Sequence, residues 1–110
     1  MDCEFKVVKL HDVPDVLEET ARLLNSEWPR SLQARCDVIR QSSDDLPCSF
    51  VLLKVQTDSD VQTVVGFSHL SKVLQKPKSV LIESVLVDKT LRGCGLGKMI
   101  VKHTEEFALK

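Results

Sequence analysis

The chain has 110 residues, 43% of them hydrophobic and 28% charged, which is the composition of one soluble globular domain and leaves no room for two. Fifteen Lys and Arg against sixteen Asp and Glu give a net charge of −1, which argues against nucleic acid or a membrane surface as the main partner, since both ask for a basic excess. One Trp, four Phe and no Tyr mean that the core is built from Val, Leu and Ile, and that no phenol is available as an acid or base.

The N-terminus Met1-Asp2-Cys3-Glu4 is acidic and no window approaches 18 apolar residues, so neither a signal peptide nor a membrane span is expected. Cys3, Cys36, Cys48 and Cys94 show no C-x-x-C spacing and the three histidines are scattered, which signals no metal site and no disulfide framework. A reducing, cytoplasmic location is the simplest expectation.

Residues 5–10 (FKVVKL) are short, β-branched and bounded by polar residues, and read as a first strand. A helix is expected next, with Asp12 as cap, Pro14 in its first turn and Asp15, Glu18 and Glu19 at the positive end of the dipole. Val13, Val16, Leu17, Thr20, Ala21 and Leu24 follow helical spacing to about Asn25 or Ser26. Trp28-Pro29 stops it, because a residue before proline is pushed out of the α region. Ser31 or Pro29 opens a second helix with Leu32, Cys36 and Ile39 on its apolar side.

Residues 41–47 form a polar loop, 49–56 (SFVLLKVQ) a strong strand, 58–60 a turn, and 62–73 a returning strand with Gly66 as a bulge or close-approach point. After a turn at 75–78, residues 80–87 (VLIESVLV) are apolar on both parities apart from Glu83 and Ser84, which predicts a central strand buried on both faces. Residues 98–110 form a helix with Leu96, Met99, Ile100, His103 and Phe107 on one side. The expected class is mixed α+β, in the order β-α-α-β-β-β-α, with a mostly antiparallel sheet.

The loop Arg92-Gly93-Cys94-Gly95-Leu96-Gly97-Lys98 joins strand to helix, and its three glycines let successive N–H groups turn toward one point, as for a phosphate at a helix N-terminus. A Walker loop fails, because Arg92 and Met99 stand where it needs Gly and Ser or Thr; G-x-G-x-x-G fails at Lys98 and Ile100. The pattern R/Q-x-x-G-x-G/A fits, with Arg92, Gly95 and Gly97 after the strand Val85-Leu86-Val87.

That pattern resembles the acetyl-CoA signature of the Gcn5-related N-acetyltransferases, the GNAT family, and the element order resembles that family's first half. The resemblance implies a pyrophosphate cradle from Arg92, Gly93, Cys94, Gly95, Leu96 and Gly97 with Lys98 nearby. It also implies main-chain groups of Val85, Leu86 and Val87 on the pantetheine arm, and acetyl-CoA as cosubstrate without a metal. A second stretch, Leu24-Asn25-Ser26-Glu27-Trp28-Pro29-Arg30-Ser31 with Gln41-Ser42-Ser43-Asp44 and Leu70-Ser71-Lys72-Val73-Leu74, resembles the branch of that family that acetylates the acidic N-termini of actins. The implied partner is an acidic N-terminal peptide such as actin's.

Independently of resemblance, residues 28–43 hold Arg30, Arg35 and Arg40 against only Asp37, a segment suited to carboxylates, with Trp28 as a groove wall and Ser31 beside it. A solvated arginine face and a Trp core plug is the other reading of the same residues. Glu83, a lone carboxylate in an apolar strand, is the catalytic candidate, its pKa expected to be raised by burial; a Glu83 that pairs with a neighbouring Lys or Arg or points to solvent is the other reading. His69 is the alternative base, though a lone strand histidine also serves structure, and His103 is expected in the core. An α-amino group, with a pKa of about 7.7–8.0, asks little of its base.

The family's domain continues beyond this last helix with further strands, so residues 1–110 read as a single, shortened acetyltransferase domain. The strand at 80–87 is then left with an open edge, which favours self-association. A non-catalytic fragment that binds CoA or a protein partner is the alternative function.

Overall fold

The computed structural model describes residues 3–59, 61–72 and 79–109. The expected turn at 75–78 and the end of the strand at 73 lie outside them. Four antiparallel strands, β1 (Cys3–Lys9), β2 (Cys48–Gln56), β3 (Gln62–Lys72) and β4 (Val80–Val87), form one sheet in the order β1-β2-β3-β4. The helices are α1 (Leu17–Glu27), α2 (Leu32–Ile39) and α3 (Leu96–Ala108), so the element order is the expected one.

The first helix starts later than expected. Leu10–Asp12 and Pro14–Val16 each form a 3-10 turn, and Asp12 caps nothing; α1 follows from a Val16 N-cap with no side-chain hydrogen bond. Ser31 opens α2, its hydroxyl accepting from the Ala34 amide at 3.3 Å.

The strand buried on both faces is β2. Six consecutive residues from Cys48 to Leu53 are fully covered. Val51 and Leu53 face a core with Ala21 and Leu24 of α1, Cys36 and Ile39 of α2, and Phe67 and Leu86. Cys48, Phe50 and Leu52 point the other way, toward α3, where Leu96, Ile100 and Phe107 pack. The Phe50 and Phe67 side chains are fully buried, so aromatics contribute more of the core than their number suggested.

β4 corrects the expectation of a doubly buried central strand. It has the expected bounds but is the edge strand among the described residues, with Val80, Leu81 and Val85 exposed. α3 likewise starts at Leu96 rather than Lys98 and buries Leu96, Ile100 and Thr104. Met99 and His103 are exposed, contrary to the expected apolar face, although the His103 ring still meets Phe50 edge-on at 5.7 Å. The helix turns on 3.6 residues per turn, and the Leu96-Ile100-Thr104 row is the one that meets the sheet. Thr104 donates to the Ile100 carbonyl at 2.8 Å and its hydroxyl meets that of Ser68 at 3.0 Å, so the polar residue in this row is satisfied.

Two irregularities interrupt the sheet. Leu52 pairs with Gly66 and Leu53 with Val64, so Val65 is an extra residue in β3. Gly66 lies beside it as anticipated: a Cβ there would stand 3.0 Å from Leu52 Cβ and 3.2 Å from the Leu86 carbonyl oxygen. Between β3 and β4, Phe67 pairs with Leu86 but His69 pairs with Glu83, which puts Ser84 and Val85 opposite Ser68 alone. Ser84 takes φ 58°, a left-handed conformation that an ordinary side chain rarely adopts.

Candidate active site

After β4 the chain makes a 3-10 turn at Lys89–Leu91, capped by Asp88, whose Oδ1 accepts from the Thr90 amide at 2.9 Å and hydroxyl at 2.7 Å. Those two bonds, backbone first, hold the Asp88 carboxyl below its ordinary pKa. Asp88 N donates to the Val65 carbonyl at 2.8 Å, which ties this turn to the β3 bulge.

Gly93 (φ 91°) and Gly95 (φ 81°) follow, both in the left-handed region that favours glycine, and Gly95 is the N-cap of α3. A Cβ at either would meet no atom within 4 Å, so open space lies in front of both. Gly97, inside the first turn, would meet only Val87 Cγ2 at 3.8 Å. Unpaired N–H groups at the start of a 13-residue helix, a left-handed glycine cap and open space beside it suit an anion. Cys94 and Lys98 are exposed alongside, and Leu96 is buried as the anchor of α3.

The Arg92 guanidinium is engaged within the chain. Its Nε donates to the Val87 carbonyl at 3.0 Å and its Nη2 lies 3.3 Å from Glu27 Oε2, which fastens the loop to the end of α1. Leu86, Val87 and Arg92 line a cavity of about 210 Å³ with Leu23 and Ser26 of α1.

Further along β4, a second cavity of about 190 Å³ is lined by Arg30, Arg35, His69, Glu83 and Ser84 over an apolar floor of Leu24, Val38, Ile39 and Phe67. Arg30, Arg35 and Glu83, all anticipated, are thus brought together. Trp28 and Ser31 are not in this lining: Trp28 is 42% exposed, and its carbonyl accepts from Arg35 Nη2. Arg35 Nε also donates to Asn25 Oδ1 at 3.1 Å, while Asn25 Nδ2 donates to the Arg30 carbonyl at 2.9 Å, so one asparagine ties the α1–α2 loop to both arginines. Burial, and then Arg30, hold the Arg35 pKa below its ordinary value. Arg40 lies elsewhere, paired with Asp37 at 3.1 Å.

Glu83 is exposed, so the burial anticipated for it is absent. His69, like Arg35, is a partly buried titratable group of this cavity. Its Nδ1 lies 3.0 Å from the hydroxyl of the fully buried Ser49, its ring stacks on Phe67 at 6.3 Å, and burial, opposed by Glu83, pushes its pKa down. The Ser49–His69 pairing was not legible in the sequence, because nothing local fixes the β2–β3 register.

A third cluster joins β1 to the loop before β2. Asp44 Oδ1 meets Lys9 Nζ at 3.0 Å and His11 Nε2 at 2.8 Å, and His11 Nδ1 meets Ser42 Oγ at 2.8 Å. The Lys9 and His11 bonds hold the Asp44 carboxyl below its ordinary pKa, and burial pushes the Cys48 thiol up to about 11. His11, Asp44 and Cys48 each place a metal-ligand atom within 4.8 Å of the others, but a cation there meets the Lys9 ammonium already seated on Asp44. Lys9, Asp44 and His11 thus form an ion-paired clasp. The four cysteines are unpaired, and no helix among the described residues is long and apolar enough to cross a membrane.

This geometry agrees with known proteins. The model of the acetyltransferase (GNAT) family matches residues 13–110. The chain is 41% identical over 96 residues to N-alpha-acetyltransferase 80 of Mus musculus, a match that covers 86% of this chain and 31% of that protein, so the chain spans about a third of the relative's length. Among solved structures, an aminoglycoside N-acetyltransferase in complex with CoA superposes with a TM-score of 0.77 at 18% identity, over 99% of this chain and 72% of that one. Glucosamine-6-phosphate N-acetyltransferase from Arabidopsis thaliana superposes with a TM-score of 0.59 at 22% identity, over 94% and 74% of the two chains. These likenesses establish the shared fold, and the family match joined to the curated relative establishes more: the chain belongs to the GNAT acetyltransferase family.

Proposed function

We propose that residues 1–110 act as one acetyltransferase domain that transfers acetyl from acetyl-CoA to the α-amino group of acidic protein N-termini, such as actin's, in the cytoplasm. The observation behind this reading is the juxtaposition, along one stretch of β4, of an anion-ready glycine turn and a cavity carrying Arg30 and Arg35 beside Glu83.

The N–H groups of Gly93, Cys94, Gly95, Leu96, Gly97 and Lys98 take the cofactor pyrophosphate, and Lys98 adds charge. Arg92 contributes by holding the turn to Val87 and Glu27. Main-chain groups of Val85, Leu86 and Val87 hold the pantetheine arm and, at the thioester oxygen, stabilise developing negative charge. Acetyl-CoA supplies the activated acyl group.

Arg30 attracts the acidic side chains of the peptide, and Arg35 keeps the loop that presents Arg30 in place while adding its own charge. Trp28 walls the approach, and Ser31 fixes the start of α2. Glu83 is the carboxylate that meets the incoming ammonium. With an α-amine pKa of about 7.7–8.0, roughly a tenth of the substrate is neutral near pH 7, and holding it against the thioester supplies much of the acceleration.

One observation favours the alternative, a non-catalytic fragment that binds CoA or a protein. Among the described residues β4 pairs only with β3, and Val80, Leu81 and Val85 are exposed, a surface suited to strand addition or to a second copy of this chain. Titration of acetyl-CoA into the purified chain, with Gly95→Glu as control, followed by acetyl transfer to peptides beginning DDD or EEE and to a neutral peptide, tests the two. The enzyme reading expects binding that Gly95→Glu abolishes and turnover on the acidic peptides. Binding without turnover gives the alternative, and no binding by a folded monomer overturns the cradle.

A further inference from the structure

The acetyl-transfer reading, on which this inference rests, does not say which group takes the proton from the incoming ammonium. Ser49 of β2 pairs with His69 of β3, and His69 pairs with Glu83 of β4, so the three residues form one row across the sheet on the α1–α2 face. Ser49 is fully buried and is no nucleophile; its hydroxyl reaches His69 Nδ1 at 3.0 Å. Nε2 has no hydrogen-bond partner among the described residues, and His69 lines the cavity shared with Arg30, Arg35 and Glu83. Phe67, stacked at an interplanar angle of 12°, fixes the plane of the ring.

We propose that His69 is the proton acceptor for the substrate α-ammonium in the Arg30–Arg35 cavity, and that Ser49 is the positioning residue that accepts from Nδ1–H and leaves the Nε2 lone pair for the substrate. The ring is faced by Glu83 and Ser84 from β4, Ser49 from β2, Leu24 from α1, Arg30 from the loop before α2, and Arg35, Val38 and Ile39 from α2. Glu83 favours an imidazolium. Burial outweighs Glu83 and lowers the His69 pKa, so the ring is neutral, and able to accept, at pH 7.

The proton balance closes. Glu83 draws in the R–NH3⁺ group, and Nε2 takes one proton, which leaves R–NH2 and imidazolium. The amine lone pair forms the C–N bond to the thioester carbon, the C–S bond breaks with its electron pair passing to sulfur, and the second nitrogen proton ends on the thiolate through water. Imidazolium returns its proton to solvent.

Two measurements on the full 110-residue chain test this. Two-bond ¹H–¹⁵N spectra are expected to show His69 as the Nδ1–H tautomer, and Ser49→Ala to mix the tautomers; a dominant Nε2–H form overturns the assignment whether or not the chain turns over. For kcat/KM on a DDD peptide, His69→Gln, which keeps a polar group toward Ser49, is expected to lose about tenfold at pH 7 and less than about twofold at pH 9, because about a tenth of the α-amine is neutral at the first pH and most of it at the second. A loss independent of pH, or none, overturns the base role; a thermal melt of His69→Gln separates misfolding from either. A wild-type chain with the expected tautomer and no turnover overturns the acetyl-transfer reading itself, and the base role falls with it.

Discussion

Substituting Gly95 separates the backbone's demands from the ligand's. At φ 81° an alanine is strained, yet its Cβ meets no atom within 4 Å, so the cost is conformational with no overlap added. A left-handed L-residue costs about 1–2 kcal/mol, and at about 4–8 °C per kcal/mol for a domain near this size Gly95→Ala lowers Tm by roughly 4–16 °C. Gly97 is the internal control. It lies in the helix with ordinary φ, its added Cβ meets only Val87 Cγ2 at 3.8 Å, and Gly97→Ala therefore stabilises by up to about 1 kcal/mol. The two alanines, two positions apart, are expected to move Tm in opposite directions by circular dichroism. In titration, the displaced N–H of Gly95→Ala forfeits a charge-assisted hydrogen bond of about 1.5–3 kcal/mol, a loss in acetyl-CoA affinity of about tenfold or more. Shifts of the same sign and size at the two positions would refute the left-handed cap, and unchanged affinity in a folded Gly95→Ala would refute the cradle.

Two further predictions concern stability. Glu19 of α1 accepts the Val64 amide at 2.8 Å beside the β3 bulge, so Glu19→Ala leaves a buried donor unpaired and costs about 1–3 kcal/mol in urea unfolding; a loss below about 0.5 kcal/mol contradicts that bond. The Cys48 thiol, raised from 9.0 to about 11, keeps its proton longer in the folded chain than in the unfolded one, so its contribution is fully present below pH 9 and is lost as pH rises toward 11. At about 1.36 kcal/mol per unit, the loss approaches roughly 2–3 kcal/mol. The difference between wild type and Cys48→Ala over that window isolates the thiol from Lys9, and parallel stability curves would show that burial does not govern it.

The glycine turn was legible because its residues are adjacent in sequence, and a left-handed requirement is written in the residue type. The element order was legible from periodicity, and Gly66 from its position inside a strand. The α1 start was misread because Pro14 suits the first turn of a 3-10 helix as well as that of an α-helix, while Asp12 caps neither; the short turns bring Leu10 and Val16 into the core. The arginine-lined cavity draws on α1, α2, the loop between them, β3 and β4, so only its charged members were foreseen. The Ser49–His69 bond and the Lys9–Asp44–His11 clasp depend on pairings across 20 and more residues, about which a single sequence is silent.

The misreading of β4 shows how the site is made. Apolar residues on both parities of VLIESVLV suggested burial on both faces, but the strand changes parity at the bulge. Leu86 pairs with Phe67 on the α1–α2 face; strict alternation from Leu86 would put Ser84 and Ile82 on that face and send Glu83 to the α3 side. The extra residue at Ser84–Val85, made by Ser84 at φ 58°, resets the count: Glu83 joins Leu86, Phe67 and His69 on the α1–α2 face, while Ile82 packs with Leu70 and Phe50 on the α3 side. The apolar run is thus two half-buried strand segments of opposite phase. The backbone to which the pantetheine role is assigned starts at this bulge and runs to Val87, and the phase change brings Glu83 beside His69 and the arginines.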